Sequence, residues 1–450
     1  MHETLLIGPY DSDDVVAWGQ GALRTAGQFL AHVLSLAESL PDRSTVLNLA
    51  SNRYEFLVGF AAAIVRGQVT LLPQSRASHA LRRIADDFPG SYALTDRDEQ
   101  REEIESIPIQ IEQASSSMPP PTVVPRIPLD QVVAVAFTSG TTGKPVPNRK
   151  TWGALTTVAR AAGSRLGIKE RDRVTVVATV PHQHMFGLEA SVMLPIVHGL
   201  AMHAGRPLFP ADIQSVLAEA AGRWVLVTTP LHLRACITEN VLAPPGGLVL
   251  SATAPLALDL ARRVERQFQS AVHEIFGFAE AGSIAERRTI AGDRWKPLDG
   301  VRVIREETSC VVRAPYLPDP VPVPDHLSID SDGTFVVHGR KADQVNVAGH
   351  RVSLGDLNAK LLQIEGVRDG VFVLPDEETG LVTRLMAFVV APEKSGEEIL
   401  HRLRAHVDPV FLPRPLVRVP KLPRNETGKL PRESVHEMIR QWKEQNGHDV

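Results

Sequence analysis

A chain of 450 residues is too long for one ordinary hydrophobic core and predicts two or three domains. With 43% apolar residues, 22% charged residues and a formal net charge of -4, it has the balance of a water-soluble globular protein, with no basic surplus for nucleic acid and no charge block that marks a tail. The longest apolar run, residues 56 to 65, falls well short of the ~18 residues a membrane span needs. The N-terminal MHETLLIGPYDSDD is acidic and lacks the apolar core of a secretion signal, and Cys236 and Cys310 lie too far apart in sequence to make a disulfide framework or a zinc site by themselves. These features predict a cytoplasmic protein.

Residues 23 to 39 repeat apolar side chains (Leu30, Val33, Leu34, Leu36) at helical spacing and predict a helix. STVLNLAS at 44–51 predicts a strand, 54–66 a second helix and VTLLP at 69–73 a second strand; helices between strands imply parallel pairing. SSSMPPPTVVPRIP at 115–128 reads as a proline-rich surface linker.

The apolar run 132–137 then leads into FTSGTTGKPVP (137–147). Its glycines let backbone N–H groups converge on one anion, its hydroxyls add short donors and Lys144 adds charge, which together suit a polyphosphate. The spacing is not that of the Walker loop: two residues separate Gly140 from Gly143 where four are needed, and Pro145 follows Lys144. Taken alone, the stretch fits either a phosphate cradle or a Gly/Thr-rich surface turn.

RVTVVATVP (173–181), RWVLVTTP (223–230) and GLVLSATAP (247–255) predict strands that end in small polar residues, and the carboxyl ends of parallel strands are where such sheets bind ligands. After Gly300 the texture changes to short strands and prolines, with YLPDPVPVP (316–324) non-helical, which predicts a small β-rich lobe. From Lys341 onward VNVAGHRVSL, DGVFVLP and TRLMAFVVAP, with helices such as 396–406, predict a separate α+β domain.

Four segments in order, TSGTTGKP (138–145), FGFAE (276–280), Asp325 through Asp330, Asp332 and Gly333 to HGRKADQVNVAGHRVSL (338–354), and NETGKLPR (425–432), resemble the signature set of the ANL superfamily of adenylate-forming enzymes. In finer detail, YEFLVGFAAAIVRGQVTLLP and VPHQHMFGLE are similar to ligases that activate hydroxybenzoic or related aryl acids in aryl-polyene pathways and load an acyl carrier protein. The resemblance implies an α/β fold in which residues 1–339 bind ATP and the acid and a mobile C-terminal domain, 340–450, carries the catalytic lysine. It implies two half-reactions: an acyl-AMP with release of pyrophosphate, then transfer to a phosphopantetheine thiol of a carrier protein or CoA. A medium-chain fatty acid as substrate, or a non-catalytic homologue that binds ATP or a carrier protein, are the alternatives.

The resemblance carries roles residue by residue. Thr138, Ser139, Gly140, Thr141, Thr142, Gly143 and Lys144 would grip the β- and γ-phosphates of ATP. Lys429 would be the catalytic lysine, whose cation answers the charge spread over the phosphorus in the transition state; otherwise a lysine in such a polar segment is a solvated surface charge. Glu280 would hold magnesium, a hard cation that takes one or two carboxylates and leaves the rest to phosphate and water; otherwise it caps a helix over 281–287. Ala252, Thr253, Phe276 and Gly277 would border the nucleotide, with Phe276 against the adenine or in the core. Asp325 and Arg340 would contact the ribose; without the resemblance, DHLSIDSDG reads as a hairpin turn or a calcium loop.

His184, in PHQHMFG, would lie near the acyl carboxylate, the alternatives being a structural histidine or, with His182, a metal pair. Gly349 and Arg351 would border the thiol tunnel, where glycine lets a narrow pantetheine arm pass close to backbone. Arg402, Arg404, Arg414 and Arg418 would face an acidic carrier-protein helix or form a solvated surface. The acid pocket would be lined by 180–189, 228–233, 251–255 and 277–283, which suit a flat aromatic acid. The sequence departs from the family pattern at Val146 and Pro147, at Ala279, and at the hinge, where Ala342 precedes Asp343.

Overall fold

The computed structural model of the chain describes residues 2–73, 75–96, 104–111, 123–139, 145–307, 309–340, 344–347, 350–375, 384–425, 428 and 430–446. It is an α/β structure with a large N-terminal domain of sheets and helices followed by a smaller α+β domain.

Two sheets organise the large domain. The first has six strands in the order Pro145–Thr151, Val132–Ser139, Val69–Leu72, Thr45–Asn48, Tyr92–Thr95 and Ser106–Pro108, all pairs parallel except the first. The second has nine strands. Its parallel centre runs Ala271–Phe278, Leu248–Ser251, Arg223–Thr228, Val174–Ala178, Ala201–His203 and Val15–Gly19, with antiparallel strands completing both edges.

The helix Arg53–Val65 is apolar nearly all round because it lies between elements on every side; it belongs to a core that joins the inner faces of both sheets to the helices Ala26–Ser39 and Trp152–Arg165. A second core covers the other face of the nine-stranded sheet beneath Pro230–Thr238 and Leu258–Phe268.

Four sequence expectations need adjustment. The helix predicted from residue 23 starts at Ala26: Ala22–Thr25 pairs back on Val15–Gly19, and Thr25 caps the helix through reciprocal bonds with Gln28. Of the predicted linker, Arg126–Pro128 is a strand against Glu3–Leu5, while 115–122 lies outside the described residues. The helix proposed over 281–287 is instead the strand Gly282–Arg288, paired with Ala271–Phe278. The helix at 396–406 ends at Leu403.

The β-rich lobe consists of Arg302–Glu306, Ser309–Arg313 and Val321–Pro322, beside the hairpin Asp325–Ile329 and Phe335–Arg340. The smaller domain holds the strands Asp369–Val373, Met386–Val390 and Leu416–Arg418 and the helices Leu354–Leu362, Gly396–Leu403 and Arg432–Asn446, around cores of its own.

Candidate active site

Val132–Ser139 and Pro145–Thr151 are antiparallel neighbours, with Ser139 opposite Pro145 and Thr138 opposite Val146. The loop Gly140–Lys144 joins these two partners and itself lies outside the described residues, as do the side chains of Thr138 and Ser139. Lys150, farther along the return strand, is 5% exposed, and its Nζ donates to the backbone carbonyl of Glu280 at 2.9 Å. Burial lowers the Lys150 pKa, opposed by the charges of Glu189 and Glu280.

Glu280 stands at the turn between Ala271–Phe278 and Gly282–Arg288. Its residue is exposed, and its carboxylate makes no hydrogen bond or ion pair among the described residues. That presentation fits a magnesium ion whose remaining ligands are phosphate and water. Among the described residues no group of three or more His, Cys, Asp and Glu side chains is placed to hold a metal.

Phe276 and Gly277 precede this turn. Phe276 is half-buried, with its ring 5.4 Å from that of Trp295 and 5.8 Å from that of Phe335, so it packs against the β-rich lobe. Ala252 and Thr253 follow the Leu248–Ser251 strand; Thr253 has φ +77°, rare for a β-branched residue and a mark of local strain.

Asp325 is 7% exposed and lies directly opposite Arg340 across an antiparallel pair, so the two ribose candidates occupy one end of one hairpin. The Arg340 side chain is outside the described residues. The acidic turn beyond Asp325 is internally committed: Thr334 donates from N and Oγ1 to Asp332 Oδ1 at 2.9 and 2.7 Å, and Arg294 pairs with Asp330 at 2.9 Å. The segment forms the hairpin Asp325–Ile329 and Phe335–Arg340.

His184 is the residue preceding the helix Met185–Leu188, which packs beside Gly282–Arg288. A Cβ on Gly187 would overlap the Pro181 carbonyl, so only glycine lets this turn close over the strand end. His182 is a core residue: it is 2% exposed, its Nε2 lies 2.9 Å from the Ala50 carbonyl, and its ring packs 4.4 Å from Phe56. Burial lowers its pKa well below that of an ordinary imidazole, so the ring is held neutral in the core.

Of the segments expected to line the acid pocket, 228–233 lies at the end of the strand Arg223–Thr228, beside the end of Val174–Ala178. Thr179, Thr228 and Thr229 cluster there with His232, whose Nδ1 is 3.0 Å from Thr229 Oγ1 and 3.3 Å from Thr179 Oγ1; burial pushes the His232 pKa down to about 4. A small cavity lies between the helix Trp152–Arg165 and the segment after His184. Val158, Ala159, Ala162, Phe186, Ala190 and Ile275 give it apolar walls, and Glu189 and Ser283 are polar groups at its edge.

The smaller domain reaches the same edge. Gly428 sits so that a Cβ on it would be 3.9 Å from both Thr229 Oγ1 and Leu231 Cβ. Lys429, like Ala342, Asp343 and Gly349, lies outside the described residues, and Arg351 is described only as part of the strand His350–Ser353. Arg424 donates to the Gly428 carbonyl at 2.9 Å and to both oxygens of Asp369, and Arg234 of the large domain donates to the Arg368 carbonyl at 2.6 Å. Of the arginines considered for a carrier-protein surface, Arg402 pairs with Glu365 and Arg418 donates to the Pro392 carbonyl.

Sequence reading passed over Lys150, Arg53 and Arg424 because a lone basic residue carries no motif. Glu189 offered one signal: it is a single acid in GLEASVML, a run that apart from Ser191 is otherwise apolar.

The 4-coumarate–CoA ligase of Halorhodospira halophila is 28% identical over 305 residues, covering 65% of this chain and 73% of that one. The 2-succinylbenzoate–CoA ligase of Bacillus licheniformis is 24% identical across 92% of each chain. Among solved structures, o-succinylbenzoate CoA synthetase (MenE) from Bacillus subtilis in complex with the acyl-adenylate intermediate OSB-AMP superposes with TM-score 0.78 at 19% identity, covering 94% of this chain and 95% of that one. ATP-bound MatB from Rhodopseudomonas palustris superposes with TM-score 0.80 at 19% identity, covering 96% and 97%. The family model of the AMP-binding enzyme matches residues 11–312 and that of the AMP-binding enzyme C-terminal domain matches 357–429, so the chain belongs to the AMP-binding enzyme family.

Proposed function

We propose that the protein is an AMP-forming acid–thiol ligase that activates a small aryl carboxylic acid, a hydroxybenzoate being the best fit. The observation that carries the reading is the match of residues 11–312 and 357–429 to the two domains of the AMP-binding enzyme family, with the strand ends of the nine-stranded sheet set against the residues around Gly428. The curated relatives that match most of the chain act, by their names, on 4-coumarate and 2-succinylbenzoate, both aromatic acids.

In the first half-reaction a carboxylate oxygen attacks the α-phosphorus of ATP, the bond to the bridging oxygen breaks and pyrophosphate leaves. The 138–144 segment would hold the β- and γ-phosphates, Asp325 and Arg340 the ribose, and Ala252, Thr253, Phe276 and Gly277 the rest of the nucleotide. Glu280 would hold magnesium, which when bound neutralises charge on the phosphates. Lys429, which follows Gly428 in the sequence, would meet the charge developing at the α-phosphorus. His184 would orient the acid.

In the second half-reaction a phosphopantetheine sulfur attacks the acyl carbon, AMP leaves and a thioester forms. The small domain, 340–450, would turn about the 340–343 segment to bring Gly349 and Arg351 to the site. The acceptor is a carrier protein or CoA, and the setting is the cytoplasm.

Pyrophosphate release from ATP and magnesium, measured across benzoic, hydroxybenzoic, cinnamic and medium-chain fatty acids, tests the reading. A response confined to aryl acids is expected, with Lys429→Ala reducing it by at least ~100-fold while ATP still binds. A response confined to fatty acids overturns the aryl assignment, and silence with ATP bound favours the non-catalytic homologue.

A further inference from the structure

Thr229, the residue before the helix Pro230–Thr238, and Leu231 in its first turn lie beside Gly428 of the small domain. Arg234, farther along the same helix, sends its Nη1 across the seam to the Arg368 carbonyl at 2.6 Å. The residue is half-buried, and burial lowers its pKa, an effect that the charge of Asp369 opposes and that of Arg424 strengthens. Two guanidinium groups, one from each domain, thus act on the Asp369 carboxylate, which Arg424 holds by both oxygens at 2.7 and 2.8 Å.

An arginine on a helix surface is ordinarily left in water, and turning it into a seam costs solvation unless partners there replace it. Here the replacements are a carbonyl and a negative charge that both belong to the other domain. Asp369, Arg424 and Gly428 are tied together within the small domain, because Arg424 also donates to the Gly428 carbonyl at 2.9 Å. A turn of the small domain about the 340–343 segment would carry those three residues as a unit and part them from Arg234, whose guanidinium would return to water. The contact is made in the arrangement that sets Gly428 beside Thr229, at the end of the strand Arg223–Thr228, and Lys429 is the next residue in the chain.

We propose that Arg234 is a positioning residue for the first half-reaction: it docks the small domain in the arrangement that forms the acyl-adenylate and releases it for the thiol step. It acts through the Arg368 carbonyl and Asp369, not on the reactants. Losing a contact made in only one of two arrangements shifts the population toward the other, so adenylate formation should slow while the thiol step does not. A residue that merely supports the fold would slow both. The inference rests on the acid–thiol ligase reading, and it holds whichever acid is activated.

The test measures the two half-reactions separately in the full chain, in the wild type and in Arg234→Gln and Arg234→Lys. The first is single-turnover pyrophosphate release from ATP and magnesium with the acid that gives the strongest response; the second is AMP release when the preformed acyl-adenylate of that acid meets CoA or pantetheine. Arg234→Gln should slow pyrophosphate release by on the order of tenfold, with the KM values for ATP and acid unchanged, and should leave AMP release as fast as in the wild type or faster. Arg234→Lys keeps the charge and a donor and should recover most of the loss. Both variants should melt with the wild type, since the lost side-chain contact lies between domains; if the Gln variant does not fold, the Lys variant carries the comparison through a smaller loss confined to the first half-reaction. Unchanged pyrophosphate release, or equal slowing of both half-reactions, overturns the role of Arg234 and leaves the ligase reading intact. A wild type that releases pyrophosphate with none of the acids overturns both.

Discussion

Arg424 grips Asp369 at both ends of the carboxylate, Nε to Oδ2 at 2.7 Å and Nη2 to Oδ1 at 2.8 Å, and turns its remaining nitrogen to the Gly428 carbonyl at 2.9 Å. The pair is more than three-quarters buried, so it is less screened than a surface bridge, and it ties the residue before Lys429 to the strand Asp369–Val373. Asp369 in turn lies within electrostatic reach of Arg234 on the large domain. Asp369→Asn is therefore expected to slow pyrophosphate release by about tenfold with little change in ATP affinity. Stopped-flow or coupled-assay rates beside an ATP titration check this; an unchanged rate would show that the Lys429 segment is placed by other contacts.

Arg53 is 1% exposed yet carries no carboxylate partner among the described residues; its guanidinium is satisfied by the carbonyls of Ala178, Val180, His203 and Gly205 and by Ser191 Oγ, at 2.8 to 3.3 Å. Burial lowers its pKa to about 9, which leaves it protonated at neutral pH. It stitches the end of Val174–Ala178 to the segment after Ala201–His203 and to the π-helical turn. Replacing it with Met keeps volume but orphans these carbonyls, and should lower stability by about 3 kcal/mol or more in urea unfolding. A loss below about 1 kcal/mol would mean that water takes over the guanidinium's bonds.

Thr253 holds φ +77° in the segment expected to border the nucleotide. A β-branched residue there is strained by roughly 1–3 kcal/mol, and glycine removes the strain at some entropic cost in the unfolded chain. Thr253→Gly should raise stability by about 1 kcal/mol and slow adenylation, because the turn is then free to sample other geometries. Thermal unfolding and pyrophosphate release report the two effects, and a destabilised variant would show that the threonine's contacts outweigh the strain.

His32 is 2% exposed with its Nδ1 2.7 Å from the Tyr54 hydroxyl, and burial pushes its pKa down from 6.5 to about 4. The folded state favours the neutral ring, so on acidification the unfolded chain takes up the proton first. This contribution to stability is complete above pH 6.5 and declines as the pH falls from 6.5 toward 4. His32→Gln should flatten the dependence of the unfolding midpoint on pH within that window and leave it unaltered above pH 7. Identical slopes in variant and wild type would assign acid sensitivity to other buried histidines such as His182 and His198.

Much of this architecture was written in local pattern. The apolar runs at 44–51, 69–73, 173–181, 223–230 and 247–255 each became a strand of a parallel sheet, because a strand buried on both faces must be continuously apolar and cannot hide that in sequence. Boundaries were harder: residues 23 to 25 carry the same apolar spacing as the helix they precede, and only pairing with Val15–Gly19 makes them a strand. Residues 281 to 287 likewise suit a helix until the turn at Glu280 folds them back on Ala271–Phe278.

The sequence by itself determined the family and the order along the chain of the TSGTTGKP, FGFAE, Asp325 and NETGKLPR segments, since motifs and periodicity are local properties of the chain. Only the tertiary structure decided that Asp325 faces Arg340, that Gly428 comes to Thr229, and that the lone acid Glu189 meets Ser283 beside an apolar cavity. Those relations join residues tens to hundreds of positions apart. Whether a buried charge meets a partner depends on what the whole fold packs around it, which no local pattern encodes.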